Sequence, residues 1–110
     1  MSIPTRTEAN ITYGLIGKIK AAAGQREGLI TIIVQASAEL TDCLSDIVAQ
    51  NAADPDALWV TEVWESAESH CASLALPAVQ QALAQGRPLI ASLGERFETV
   101  PAGGHGIAQR

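Results

Sequence analysis

Aromatic side chains are scarce: two tryptophans, one tyrosine and one phenylalanine make up 4% of 110 residues. Cysteine is scarcer still. Cys43 and Cys71 are too few and too far apart for a zinc cluster or a redox CxxC pair, and both read as ordinary buried thiols. Basic residues are outnumbered, with 7 Lys and Arg against 12 Asp and Glu, giving a net charge of -5. That balance disfavours nucleic acid, whose binding needs a basic patch to displace counterions. No apolar run approaches the roughly 20 residues that span a bilayer, so no membrane segment is expected. The opening MSIPTRTEAN lacks a signal peptide's apolar core, and the expected location is cytoplasmic. GxSxG, P-loop, GxGxxG and His-rich metal spacings are all missing, so no metal is expected.

What remains is a globular composition, 47% hydrophobic and 17% charged, of a length that suits one compact domain. The chain is organised around Leu58 to Leu74, LWVTEVWESAESHCASL. Its first half alternates large apolar and β-branched residues as a strand does, and its second half switches to helical spacing behind Ser66, a good N-cap.

Residues 1–10 read as a polar lead-in. ITYGLIGKIK follows as the first strand, in which Gly14 and Gly17 mark a bulge or a close approach by another group. Leu29, Ile32, Ile33 and Ala36 recur at helical spacing, predicting a helix over Gln25 to Glu39, although Ile30 to Val34 also suits a strand. CLSDIVAQN is a second strand, with Leu44, Asp46, Val48 and Gln50 on one face and Cys43, Ser45, Ile47 and Ala49 on the other. NAADPDA turns the chain into a third strand, Ala57 to Glu65.

The third strand places Leu58, Val60, Glu62 and Trp64 on one face and Trp59, Thr61, Val63 and Glu65 on the other. Neither face is cleanly polar. Both are therefore expected to be covered, one by helices and the other by a second copy of the sheet, which predicts a homodimer through sheet faces.

A helix after Ser66 is expected to turn Ala67, His70, Cys71 and Leu74 inward. Pro77 opens a further helix, which Gly86 should end as a C-cap. LIASL is expected to make a short helical turn, and Gly94 to Val100 the fourth strand. The tail 101–110 reads as loose, or as an arm laid on a partner. The domain thus spans 11–100 in the order strand, helix, strand, strand, helix, strand. This is the ferredoxin-like βαββαβ pattern of an α+β fold with an antiparallel sheet.

The second strand, the hairpin ADPDALW, and TEVWESAESHCASL followed by PAVQQAL resemble the antibiotic biosynthesis monooxygenase family of dimeric α/β-barrel proteins, which includes quinol monooxygenases. The resemblance runs from about Gly14 to Val100. Its most characteristic piece matches at Glu62, Val63, Trp64, Glu65, Ser66 and His70, whereas Asp42 stands where relatives commonly carry glycine. It implies oxidation of an aromatic quinol or hydroxyarene by O2 to a quinone, with no flavin, haem or metal cofactor. The family also contains haem-degrading enzymes, and a dimeric domain that binds a small aromatic without turnover is the alternative of another class.

Five residues are candidates for the site. Trp64, at the strand-to-helix junction, either stacks on a planar substrate or packs the core. His70 carries the side chain type that titrates near neutrality and suits general-base work, or is structural. Trp59 is a candidate substrate contact, or an interface or core residue. Glu62 shares Trp64's face, where a carboxylate must be paired, protonated or functionally perturbed. Arg87 follows Gly86 and either clamps an anionic oxygen or is solvated. His105 lies in the glycine-rich tail with no expected chemistry.

Overall fold

The structure, a computed structural model, describes residues 12–105. The lead-in 1–10 and the last residues of the tail lie outside the described residues. The elements are β1 (Tyr13–Ala21), α1 (Arg26–Ser37), β2 (Cys43–Gln50), β3 (Ala57–Trp64), α2 (Ala67–Ser73), α3 (Pro77–Gly86) and β4 (Ile90–Thr99). The strands form one antiparallel sheet in the order β2-β3-β1-β4. This is the expected ferredoxin-like arrangement.

The segment Ile30 to Val34 is helical. Strand propensity yields there because Leu29, Ile32, Ile33 and Ala36 fall on one face of α1 and all four meet the space above the sheet. Ser66 caps α2 as expected, its hydroxyl accepting from the Ser69 amide at 3.0 Å in extended backbone geometry. Between β2 and β3, Asn51 Oδ1 accepts from the amides of Ala53 and Asp54, and Asp54 pairs with Lys20 at 2.9 Å. The Asn51 bonds make the predicted turn, and the Lys20 pair ties it to β1.

The structure corrects four expectations. Gly86 does not cap α3 in a left-handed conformation: its φ is -79°, and the chain runs on through a 3-10 turn at Arg87–Leu89. Its smallness serves packing instead, since a Cβ there would stand 3.3 Å from Leu29 Cδ1. β4 begins at Ile90, so most of LIASL is strand, held by pairing of Ala21 with Ile90 and Ile19 with Leu93. In α2, Ala67 and Cys71 are exposed, and Ser73 is the buried residue. Burial of that serine is tolerated because its hydroxyl donates to the His70 carbonyl at 2.6 Å. Strict alternation in β2 also fails, because a register shift between Cys43 and Ser45 pairs Cys43 with Trp64 and Asp46 with Glu62.

Gly14 marks a close approach: a Cβ there would lie 2.0 Å from the Oγ1 of Thr99, its partner on β4. The register shift after Gly17 lies in the same strand pair.

The helices cover one face of the sheet. Ala21, Leu29 and Leu58 form a small buried core there, ringed by residues that include Ile19, Ile33, Val60 and Ile90. The other face is open. It carries Trp59, Thr61 and Val63 from β3, Ile47 from β2 and Phe97 from β4, with Ile47 58% and Phe97 52% exposed. Among the described residues no helix is long and apolar enough to cross a membrane.

Candidate active site

Beyond the core, toward the Trp64 end of the sheet, the helices leave a cavity of about 520 Å3. That volume suits a small organic ligand. Its walls are aliphatic, built by α1, α3 and the start of β4. Its polar groups gather on the sheet side: Asp46 from β2, Glu62 and Trp64 from β3, and His70 and Ser73 from α2, with Arg87 at an exposed edge. Four of the five candidates, Trp64, His70, Glu62 and Arg87, therefore line one cavity. Trp59 does not join them. Its side of β3 faces away, and Lys18 Nζ stands 5.9 Å from its ring centroid.

Trp64 is 2% exposed, and its indole N-H donates to Glu62 Oε1 at 2.7 Å. These two residues are two apart on one strand, so alternation puts them on the same face. His70 stands edge-on to Trp64 with ring centroids 5.4 Å apart, and the Tyr13 ring lies at the same centroid distance, tilted by 36°. The Tyr13 hydroxyl donates to Glu98 Oε2 at 2.5 Å, and that bond, with burial, holds the phenol above its ordinary pKa. His70 thus packs against two aromatic rings, whose residues are cross-strand partners on one face of the sheet.

Asp46 was not singled out by the sequence reading. It sits directly across from Glu62 on β2, so the two carboxyls are same-face neighbours. Ser37 Oγ lies 2.5 Å from Asp46 Oδ2, while Asp46 Oδ1 is buried with no hydrogen-bond partner. The signal was a lone acid inside CLSDIVAQ, on the face that also carries Val48.

Burial is the main cause that raises the pKa of Glu62, and the charge of Asp46 pushes the same way. The Trp64 bond, His70 and Arg96 oppose them. Burial, then Asp46, also pushes the Cys43 thiol up to about 11. Among the described residues no set of three or more His, Cys, Asp or Glu is grouped to hold a metal ion.

A ferredoxin-like α+β domain with a ligand-sized apolar cavity between its sheet and helices defines the class. Comparison then places the chain within that class. The sequence profile of the antibiotic biosynthesis monooxygenase domain matches residues 12–85, and the chain belongs to this family. It is 61% identical to a protein from Chloroflexus aurantiacus J-10-fl provisionally named an antibiotic biosynthesis monooxygenase, with a TM-score of 0.85 over 88% of this chain and 99% of that one. Proteins with the same provisional name from Deinococcus radiodurans and Nitrosomonas europaea share the fold. The first has 24% identity and a TM-score of 0.69, covering 84% of this chain and 94% of its own. The second has 12% identity and a TM-score of 0.72, covering 94% of this chain and 99% of its own. No curated protein sequence matches the chain. The family, with the 61% identical Chloroflexus protein, supports a general monooxygenase-like function.

Proposed function

We propose that the protein is a cofactor-independent monooxygenase that oxidises an aromatic quinol or other hydroxyarene with O2. The observation that carries this reading is the cavity itself, an apolar slot with Trp64, His70 and Glu62 close together on its wall. A phenolate is electron-rich enough to pass one electron to O2 directly. The phenoxyl radical and superoxide then combine at a ring carbon to give a peroxide. Loss of that carbon's proton and cleavage of the O-O bond give a quinone, and the departing hydroxide leaves as water. One hydroxyarene and one O2 thus yield one quinone and one water.

In this scheme the protein holds the ring, assists deprotonation and keeps the radical pair together. Trp64 supplies a flat wall, and the aliphatic residues of α1 and α3 exclude water. His70 lies beside the ring, within reach of a proton in transit. Arg87, at the edge, meets an outward-facing oxygen. The partner of the domain is a second copy of itself, seated on the open sheet face, where exposed Ile47 and Phe97 form an apolar patch that also includes Trp59.

The test is oxygen uptake by metal-stripped protein against a panel of dihydroxyarenes, with Trp64→Ala and His70→Ala beside the parent. Uptake above the autoxidation blank, with a quinone product and loss of rate in either variant, is the expected result. Recovery of a bound arene unchanged would instead mark a binding domain without turnover.

A further inference from the structure

The two carboxyls on the sheet side of the cavity differ in a way that separates their roles. Glu62 uses Oε1 to accept from Trp64, while Oε2 carries no hydrogen bond among the described residues and is not sealed from the cavity. Asp46 is held at Oδ2 by Ser37, and its Oδ1 is closed off from solvent without a partner. One acid therefore presents a free acceptor to a ligand. The other places negative charge behind it.

We propose that Glu62 is the base that takes the hydroxyl proton of a neutral hydroxyarene, and that Asp46 is a positioning residue acting through it, so that arenes with a carboxylate ortho to that hydroxyl are excluded. This assignment rests on the monooxygenase reading and names its base and its substrate class.

The proton balance closes on Glu62. Its carboxylate takes the phenolic proton as the arene enters, leaving a phenolate for the one-electron step with O2. When the peroxide collapses and hydroxide leaves, protonated Glu62 returns the proton, releasing water and restoring the carboxylate. A base works best when its pKa lies near the operating pH, and burial raises that of Glu62 in this direction. Trp64 holds the carboxylate in place through the bond to Oε1, so the indole serves as both wall and anchor.

The charged and titratable groups around Glu62 are Asp46 and Cys43 from β2, Tyr13 from β1 and His70 from α2. Arg87 follows α3, Arg96 and Glu98 come from β4, and α1 contributes the neutral Ser37. Asp46 disfavours the Glu62 carboxylate, whereas His70 and Arg96 favour it. An ortho carboxylate on the ligand would add a third negative charge beside two. Like charges brought together in this way repel and disfavour binding. An anionic group turned toward Arg87, which also lines the cavity, meets a positive charge instead.

The experiment combines steady-state oxygen uptake from pH 5 to 9 with calorimetric binding of a neutral dihydroxyarene and of its ortho-carboxylated analogue, for the parent, Glu62→Gln and Asp46→Asn. Glutamine keeps the acceptor for Trp64, and circular dichroism confirms that each variant is folded. The expected result is a fall in kcat of about 100-fold or more in Glu62→Gln, with neutral-arene binding kept. In Asp46→Asn the acid limb of the kcat/KM profile moves to lower pH, because a like charge has been removed. The parent binds the carboxylated analogue at least about tenfold more weakly than the neutral arene, and the gap narrows in Glu62→Gln.

A parent that turns over beside a Glu62→Gln variant within about threefold of its rate overturns the base assignment and leaves the monooxygenase standing. An unmoved acid limb in Asp46→Asn overturns the role of Asp46. Equal binding of the two arenes overturns the substrate class. No uptake by the parent overturns the reaction and the base role together, while the calorimetry still decides the ligand class.

Discussion

Replacing Glu62 with glutamine is expected to stabilise the fold, and to do so only above acid pH. The folded-state pKa of Glu62 is raised, first by burial and then by Asp46, against the opposing Trp64 bond. A carboxyl raised in the folded state binds its proton more tightly there than in the unfolded chain. The stability it permits is therefore complete below the unfolded pKa and is lost as pH rises through the folded value, at no more than about 1.4 kcal/mol per pH unit for one proton. Glutamine resembles the protonated form and titrates nowhere. The variant should match the parent near pH 4 and exceed it at pH 7.5.

Three contributions set the size of that gain. Burying an ionised carboxyl costs several kcal/mol after relaxation. The charge-assisted bond from Trp64 at 2.7 Å returns part of this, and a neutral amide keeps about 1 kcal/mol of it. With solvent in the open cavity screening the charge, the net gain is about 1 kcal/mol, or roughly 4 °C in Tm for a domain of this size. Urea unfolding at both pH values, at one fixed protein concentration, measures it. A variant less stable than the parent at pH 7.5, or equally stabilised at pH 4, would refute the reasoning.

Three further outcomes follow from the structure. With Cys43 half-buried and its thiol pushed up to about 11 and Cys71 exposed, a disulfide reagent at pH 8 should modify one thiol per native chain quickly and two after denaturation; two equally fast equivalents in the native state would contradict the raised pKa of Cys43. Gly14→Ala brings a Cβ to 2.0 Å from Thr99 Oγ1, and denaturant melts should show a loss of about 1–3 kcal/mol as β4 is displaced. Ile47→Asp puts a charge on the open sheet face, where Ile47 is 58% exposed, so light scattering should give twice the chain mass for the parent and the single-chain mass for the variant, with unchanged circular dichroism; a monomeric parent would remove the homodimer from the reading.

The parts of the fold legible in the sequence are those written locally. Alternation in LWVTEVW predicted β3, and Ser66 predicted the start of α2, because period and cap chemistry act over a few residues. The helical spacing of Leu29, Ile32, Ile33 and Ala36 predicted α1 against the β preference of its isoleucines. What could not be read depends on partners distant in the chain. Gly86 resembles a C-cap until Leu29 is seen beside it, and Ile90 resembles a helical turn until Ala21 is seen to pair with it. The register shift between Cys43 and Ser45 is likewise a property of two strands, and it brings Cys43 opposite Trp64.

The same division holds at the site. Trp64, Glu62 and His70 lie within one stretch, so strand alternation and the helix that follows bring them together from the sequence alone. Asp46 stayed hidden because its meaning comes from the residue opposite, and nothing within β2 names Glu62 as that residue. Trp59 was legible as a side of the strand more than as a site, and its ring lies on the face away from the cavity.

The placement of the two indoles has a practical consequence. The chain has two tryptophans, and the sheet separates them: Trp64 looks into the cavity beside a carboxyl and an imidazole, and Trp59 looks out under a lysine ammonium. Each is an intrinsic fluorophore for one event. Emission from Trp64 reports what enters the cavity, and emission from Trp59 reports what settles on the outer face. Exchanging either one for phenylalanine would leave a single-channel reporter, so occupancy and association could be followed separately in two single-tryptophan variants, without a label.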